Sequence, residues 1–213
     1  MNKSYNFLIF LLVFSGFLFS CKTIQQEVDI YSLQAPAKFD VMFQTTKGDF
    51  TITTERDLSP LAVDRFYQLV KSGYFTDIPF YRGVANFVVQ FGTLDTVLDA
   101  KWSENILIDE PVKKGNLKGT LSFARAGVNT RGTQLFININ DNSRLDTVTY
   151  GGVNGFPVFG WVSSGMDVVM SICTEYGDTI RQRLEKSNED LRDLLKTEYP
   201  KLDYIKTSYV IEK

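Results

Sequence analysis

Residues 80–90 read FYRGVANFVVQ, and this stretch decides the fold. It sets Arg82 and Gln90 beside an aromatic–aliphatic pair at the edge of a predicted strand. A second run, residues 119–137 (GTLSFARAGVNTRGTQLFI), adds Gln134 and further apolar residues. Taken alone, Arg82 would more often be a solvated surface charge, and the apolar residues would more often be core. A glutamine inside an apolar strand needs hydrogen-bonding partners when buried, so the two runs together indicate one shared site.

The composition of the chain restricts its function. The 213 residues are 44% hydrophobic and 14% aromatic, enough to bury one sizeable core, which predicts a single domain. The formal charge is −2 and no basic stripe is present, so we expect no nucleic-acid partner. The chain contains no histidine, which excludes a Ser-His-Asp triad and histidine-based zinc sites. We therefore expect neither a metal nor a cofactor.

Residues 1–20 have the features of a signal peptide. Their apolar stretch, 7–19, is shorter than the roughly 20 residues that span a bilayer. It ends in Leu18-Phe19-Ser20-Cys21, which resembles a bacterial lipobox, in which the cysteine carries the lipid. An ordinary signal peptide followed by an incidental cysteine is the alternative. We favour lipidation of Cys21, which predicts a domain outside the cytoplasm, anchored to a membrane of the bacterial cell envelope. Cys173 would then lack a partner for an internal disulfide.

A polar tether over 21–37, beginning at the lipid-attachment cysteine, is predicted to precede a folded domain over 38–213. The domain opens with apolar residues at alternate positions over 39–43 and a turn at 47–49, the pattern of a β-hairpin. Further short strands, rich in β-branched and aromatic residues, are predicted at 87–91, 120–124, 135–139 and 158–162.

Two helices are predicted to cap this β-structure. Ser59 can cap the first helix, Pro60 suits its first position and Gly73 ends it. A second short helix is predicted around 166–172. Many short strands with two helices are typical of a closed antiparallel barrel.

An additional amphipathic helix is predicted over 178–196, before the last strand. Its apolar residues Ile180, Leu184, Leu191 and Leu195 recur at four- and seven-residue spacing, interrupted at 188. Packing against the barrel wall is the favoured interpretation; docking of a protein partner is the alternative.

The segments 80–90 and 119–137 resemble the hallmark segments of the cyclophilin-type peptidyl-prolyl cis-trans isomerases. The resemblance runs from 39 to 172 and returns near the C-terminus. It implies a mainly β fold, a closed antiparallel eight-stranded barrel capped by two helices, with 178–196 as an insertion. It also implies an isomerase whose partners are proline-containing polypeptides, which here would be exported proteins.

The same resemblance assigns roles to individual residues. Arg82 corresponds to the catalytic arginine, and Gln90 to the glutamine that orients it and binds the substrate backbone. Gln134 corresponds to a polar substrate contact. The remaining substrate-binding residues divide into apolar walls of the proline pocket and a strand edge that pairs with the peptide: Phe87, Val88, Phe136, Leu145 and Phe156 for the walls, and Ala124, Arg125 and Ala126 for the edge.

Three departures from the family pattern bear on specificity. Arg144 lies where many members carry tryptophan or phenylalanine on the pocket rim, which predicts weak binding of the cyclic peptide cyclosporin. Residues 91–93 read Phe-Gly-Thr where the family usually has Gly-Gly-Asp. The segment 94–114 lacks the glycine-rich loop of well-studied members, so the surface beside the site should differ.

Isomerisation of an Xaa-Pro bond requires no bond to be made or broken. The barrier of ~18–20 kcal/mol comes from amide conjugation. A donor aimed at the imide nitrogen stabilises the twisted state more than either planar state, and this difference is what catalysis requires. An arginine, always charged and with a rigid donor fork, suits the task. A peptide-binding chaperone with little turnover and a scaffold lipoprotein are the alternative functions.

Overall fold

The computed structural model describes residues 29–92, 96–184 and 191–212. Nine strands form one antiparallel sheet, in the order β3-β11-β1-β2-β10-β6-β7-β5-β4, and β8 and β9 form a separate hairpin. The strand bounds are β1 Lys38–Thr45, β2 Asp49–Glu55, β3 Ile78–Pro79, β4 Arg82–Val84, β5 Val88–Phe91, β6 Thr120–Phe123, β7 Leu135–Asn138, β8 Thr149–Tyr150, β9 Val153–Asn154, β10 Val158–Ser164 and β11 Tyr204–Val210.

The sheet curls but does not close, so the prediction of a closed eight-stranded barrel is wrong in closure and in strand number. Its two edge strands, β3 and β4, are consecutive in the chain and separated only by Phe80 and Tyr81. The first part of this segment pairs with β11 and the second part pairs with β5. One segment therefore lies along both edges in turn, and no ladder between described residues joins the two edges. The prediction of a mainly β fold is confirmed.

Five helices accompany the sheet in the described residues: α1 Pro60–Lys71, α2 Thr96–Glu104, α3 Met166–Met170, α4 Thr179–Leu184 and α5 Leu191–Glu198. The two predicted capping helices correspond to α1 and α3, whereas α2 was not predicted. Phe66 on α1 packs against the rings of Phe43, Phe75 and Phe159 in the concave face of the sheet. This aromatic cluster is the main core and holds α1 in place.

The N-terminus of α1 is capped by a carboxylate distant in sequence. Ser59 was predicted as the cap, but its hydroxyl donates to Glu110 instead of accepting from the helix. Glu110 accepts from the backbone N–H groups of Leu61, at 2.9 Å, and Ala62, at 3.2 Å. Arg131, whose side chain is buried, pairs with the same carboxylate at 3.1 Å. The helix dipole and Arg131 together stabilise this half-buried negative charge.

The folded domain begins before the predicted boundary at Lys38. Ala35 is buried and its N–H donates to Asp64 of α1 at 2.8 Å. The Gln68 amide donates to the carbonyls of Tyr31, at 3.0 Å, and Leu33, at 2.8 Å. Residues 29–37, predicted as tether, are thus packed on α1. The signal peptide and Cys21 lie outside the described residues.

The predicted insertion, 178–196, contains α4 and the start of α5, and 185–190 lie outside the described residues. Ile180 and Leu195 are fully buried in the main core. The prediction that the insertion packs against the sheet is confirmed at these two positions. No described helix is long and apolar enough to cross a membrane.

Candidate active site

Strand register places the site residues in one row across β4, β5 and β7. Arg82 lies opposite Gln90, and Gln90 lies opposite Phe136 on the next strand. Directly opposed residues of antiparallel strands project to the same face of a sheet. The hairpin of β4 and β5 therefore presents the arginine, the glutamine and the aromatic ring side by side.

Alternation along these strands separates the core from the site. Val89 and Ile137 project into the main core and are fully buried. Val88 and Phe136, on the opposite face, form a second, smaller apolar cluster with Leu145. Phe87 and Phe156 pack at the edge of this cluster. A period of two thus gives each strand an apolar core face and a site face, on which the apolar cluster lies beside Arg82 and Gln90.

The site face forms the wall of a groove with a volume of about 630 Å³. The structure brings together along this groove every residue that the sequence assigned to catalysis or substrate binding. These are Arg82, Phe87, Val88, Gln90, Ala124, Arg125, Ala126, Gln134, Phe136, Leu145 and Phe156.

The Arg82 guanidinium is fixed at two of its edges. Nη1 donates to the Gln90 carbonyl oxygen at 3.1 Å, and Nε donates to an Asp178 carboxylate oxygen at 2.6 Å. The guanidinium also lies 5.6 Å from the centre of the Phe87 ring. The Arg82 side chain is 18% exposed, and its Nη2 donates to no described residue. A cation is thus held at the edge of the apolar cluster with donors to spare.

A buried amide–phenol network orients Gln90. Its Nε2 donates to the Tyr81 hydroxyl and, at 3.2 Å, to Gln134. The Tyr81 hydroxyl donates to Gln134 Oε1 at 2.8 Å. Burial is the main cause that raises the pKa of Tyr81, so its hydroxyl remains a donor at neutral pH. With its Nε2 taken up in this way, Gln90 turns its oxygen toward Arg82.

Asp178 was not predicted as a site residue, although it bonds Arg82 more closely than Gln90 does. It belongs to the insertion, 96 residues away in sequence. Gly83 makes the contact possible: it forms an antiparallel bridge with Gly177, and a Cβ on Gly83 would lie 2.4 Å from the Cys173 carbonyl oxygen. The hydrogen bond from Arg82 is the main cause that lowers the pKa of Asp178. The two residues meet through tertiary contacts such as this bridge, so no local signal in the sequence indicated Asp178.

Two further arginines line the groove over aromatic rings. The Arg125 guanidinium lies 4.2 Å from the centre of the Phe156 ring, and its Nη2 donates to the Val153 carbonyl at 2.9 Å. The Arg144 guanidinium lies 4.6 Å from the centre of the Phe87 ring. The Arg125 N–H and C=O bond no described residue, so they remain available for the predicted pairing of this strand edge with a peptide, whereas the neighbouring Ala124 N–H donates to Gln134.

Residues 40–190 match the family model described as cyclophilin type peptidyl-prolyl cis-trans isomerase. The chain belongs to this family. A cyclophilin-type fold accounts for the curled sheet, and family membership agrees with the row of Arg82, Gln90 and Phe136.

Individual relatives are similar over most of this cyclophilin domain. A peptidyl-prolyl cis-trans isomerase of Dictyostelium discoideum is 35% identical over 138 residues, 62% of this chain and 83% of the relative. One from the bacterium Acinetobacter baylyi is 30% identical over 145 residues, 67% of this chain and 76% of the relative. A Rhizopus delemar isomerase is 32% identical over 158 residues, but this chain spans only 23% of its length.

Among solved structures, a Cryptosporidium parvum cyclophilin type peptidyl-prolyl cis-trans isomerase is similar with a TM-score of 0.58 and 20% identity. The match covers 83% of this chain and 99% of the other. At this identity the likeness speaks to the fold.

Proposed function

We propose that this cyclophilin domain catalyses cis-trans isomerisation of Xaa-Pro bonds, with Arg82 stabilising the twisted amide. The observation that carries the proposal is the placement of Arg82. Its guanidinium is fixed by hydrogen bonds to Gln90 and Asp178. It lies at the edge of the apolar cluster of Val88, Phe136 and Leu145, against which a proline ring can pack.

The proposed catalytic step uses the N–H donors of Arg82 that do not already bond Gln90 or Asp178. As the imide bond twists, conjugation is lost and the nitrogen lone pair becomes able to accept a hydrogen bond. A donor already fixed beside that nitrogen needs no reorganisation, so its interaction is strongest in the transition state. Arg82 Nη2, which donates to no described residue, is the group we assign to this role.

The peptide would extend along the groove in both directions from the proline. The backbone of Arg125 can pair with the residue before proline as an added strand. Gln134 Oε1 is occupied by Tyr81 and Gln90, so its amide nitrogen is the part left to bind the peptide backbone. A Cryptosporidium parvum relative was solved in the presence of the dipeptide Ala-Pro, which supports a proline peptide as ligand.

The test of this proposal is isomerisation of a short Ala-Pro peptide, measured by NMR exchange, with the 29–213 domain. Arg82→Ala should lower kcat/KM by about two orders of magnitude, the usual effect of removing one transition-state donor. Arg82→Lys should recover little, because an ammonium lacks the two-edged fork that Gln90 and Asp178 hold. Arg183→Ala, an arginine outside the groove, is the matched control. Equal rates for wild type and Arg82→Ala would remove Arg82 from the mechanism.

A proline-peptide chaperone with little turnover is the second candidate, and Asp178 favours it. A carboxylate 2.6 Å from Nε offsets part of the positive charge that the twisted amide requires. An undetectable wild-type exchange rate with intact peptide binding would favour this candidate. A scaffold function that uses the insertion to dock a partner remains a weaker proposal, because Ile180 and Leu195 already pack in the core.

The N-terminal segment supports a proposal about location. Its lipobox-like sequence ending at Cys21 favours a lipid-anchored protein of the bacterial cell envelope that acts on exported polypeptides. Uncatalysed prolyl rotation takes tens of seconds or longer, so such clients would fold faster with this domain nearby. Intact mass of the membrane-extracted protein should show a lipid adduct that Cys21→Ser abolishes. An unmodified wild-type mass would exclude the anchor.

A further inference from the structure

The groove differs in charge from the rest of the molecule. Among the described residues, four arginines line it, Arg82, Arg125, Arg144 and Arg181, against one lining carboxylate, Asp99. The whole chain, in contrast, has a formal charge of −2. A concave surface with apolar walls focuses such a local charge and concentrates ligands of the opposite sign.

Two of these arginines already have a carboxylate partner. Asp178 pairs with Arg82 at 2.6 Å and lies 3.7 Å from Arg181. The lining carboxylate, Asp99, is held by the hydroxyls of Tyr74 and Thr133, on the α2 side of the groove. These carboxylates do not pair with the other two lining arginines, Arg125 and Arg144, which lie beside the apolar cluster.

Arg125 and Arg144 form no ion pair with a carboxylate of the described residues. Arg125 is 7% exposed, and its Nε and Nη1 have no hydrogen-bond partner. Asp109 is near enough to act on Arg125, but it pairs with Arg131 at 3.5 Å. Arg144 is exposed, and its guanidinium lies on the Phe87 ring. One uncompensated cation thus lies over each of the two aromatic rings that border the apolar cluster.

We propose that the groove prefers prolyl peptides with an acidic residue next to the proline, and that Arg144 is the main specificity-determining side chain. This inference rests on the proposed isomerase function. Of Arg125 and Arg144, only Arg144 is exposed, and its stacking on Phe87 holds it at the mouth of the apolar cluster. A carboxylate beside a proline in that cluster would meet Arg144. Arg125, shielded from solvent, would add a positive potential without direct contact.

The experiment uses matched peptides that differ only in one residue, Glu, Gln or Lys, placed before and then after the proline. NMR exchange gives kcat/KM, and NMR titration of the same peptides gives Kd independently of turnover. We expect the Glu peptide to exceed the Gln peptide by about two- to fivefold in at least one position, with Lys below Gln, as for a partly exposed ion pair. The preference should shrink in 1 M salt, where the Debye length is about 3 Å.

Variants identify the side chain responsible. Arg144→Gln should bring the Glu-to-Gln ratio to about one, and Arg144→Glu should invert the preference toward Lys. Lys201→Gln, which removes an exposed cation paired with Glu175 outside the groove, should leave the ratio as in wild type.

Failure of this inference is distinguishable from failure of the isomerase proposal. Equal kcat/KM and Kd for all three peptides would overturn the acidic preference while leaving isomerase activity intact. A preference that survives Arg144→Gln would overturn the role of Arg144. If no peptide is turned over, the isomerase proposal fails, and the Kd values still decide between preference and indifference.

Discussion

At the scale of single residues, the orientation of Arg82 depends on two neighbouring side chains, Gln90 and Asp178. The amide nitrogen of Gln90 donates to the buried Tyr81 hydroxyl, which leaves the Gln90 carbonyl oxygen to accept from Arg82. Asp178 holds the opposite edge of the guanidinium. Positioning and charge therefore act in opposite directions at Asp178: the hydrogen bond fixes the donor plane, whereas the negative charge weakens the donor.

We expect positioning to dominate at Asp178. The rigid fork is useful only in one orientation, and Nη2 is directed correctly only while Nε is held. Asp178→Asn should lower kcat by about three- to tenfold with little change in KM, and Asp178→Ala should lower it further. Glu175→Gln, which removes a carboxylate of the same segment without touching Arg82, is the control for net charge. A faster Asp178→Asn enzyme would show that charge compensation dominates instead.

The pH dependence of activity should be nearly flat between about 6 and 8. The hydrogen bond from Arg82 lowers the pKa of Asp178, so this carboxylate stays charged until the pH falls below the ordinary value of about 3.9. Its contribution to stability is present above that value and is lost as the pH falls through the lower folded-state pKa. Burial raises the pKa of Tyr81, so this group does not titrate in the window either. A step in kcat/KM near neutrality, measured by NMR exchange, would contradict this assignment.

At the scale of elements, the connection between the insertion and the site depends on a close contact between the backbone of β4 and that of residues 173–177. Gly83 lies between Arg82 and Val84, and its backbone contacts residues 173–177 so closely that position 83 has no room for a side chain. The Gly83–Gly177 bridge thereby places Asp178, the next residue along the chain, beside β4. A single glycine thus couples the insertion to the site.

Gly83→Ala should break this coupling. The new Cβ would lie 2.4 Å from the Cys173 carbonyl and 3.1 Å from the Thr174 Cα, so the segment must shift. We expect a loss of about 1–3 kcal/mol in the free energy of unfolding, measured with urea, because both obstacles are backbone atoms. The kcat should fall at least as far as in Asp178→Ala.

Gly132→Ala is the matched control for stability, because a Cβ there meets no atom within 4 Å. Its unfolding free energy should stay close to that of wild type. Wild-type stability and turnover in Gly83→Ala would show that the insertion is not tightly held against β4.

At the scale of the whole molecule, the sequence predicted what alternation and local chemistry determine. The strands predicted at 87–91, 120–124, 135–139 and 158–162 agree with β5, β6, β7 and β10 to within one or two residues. Gly73 ends α1 as expected, with φ of 71° and the hydrogen bond from the Tyr74 N–H to the Leu69 carbonyl.

The features that the sequence could not predict depend on contacts distant along the chain. β3 and β4 are two and three residues long, too short for a period of two to be visible, so the open seam was missed. Glu110, which caps α1, and Asp178, which holds Arg82, belong to no local motif, and the tertiary fold brings them to their partners. Most of the predicted lining residues come from the two local motifs, 80–90 and 119–137, whereas Asp99 and Arg181 reach the groove from distant elements.

The last prediction concerns where the folded molecule begins. A chain starting at residue 38 lacks the Tyr31 ring, which packs edge-on against Trp102 with centroids 4.8 Å apart, and the carbonyls that accept from Gln68. Such a chain also lacks the Ala35 N–H that donates to Asp64 and the Ala37 carbonyl that accepts from the Arg56 N–H. Losing these four hydrogen bonds and one aromatic pair should cost about 2–4 kcal/mol, which corresponds to a fall in Tm of roughly 5–15 °C for a domain of this size. A chain starting at residue 29 is the control and should melt like the chain starting at residue 22. Identical melting of the chains starting at 29 and 38 would show that residues 29–37 are a tether after all, as their polar sequence suggested.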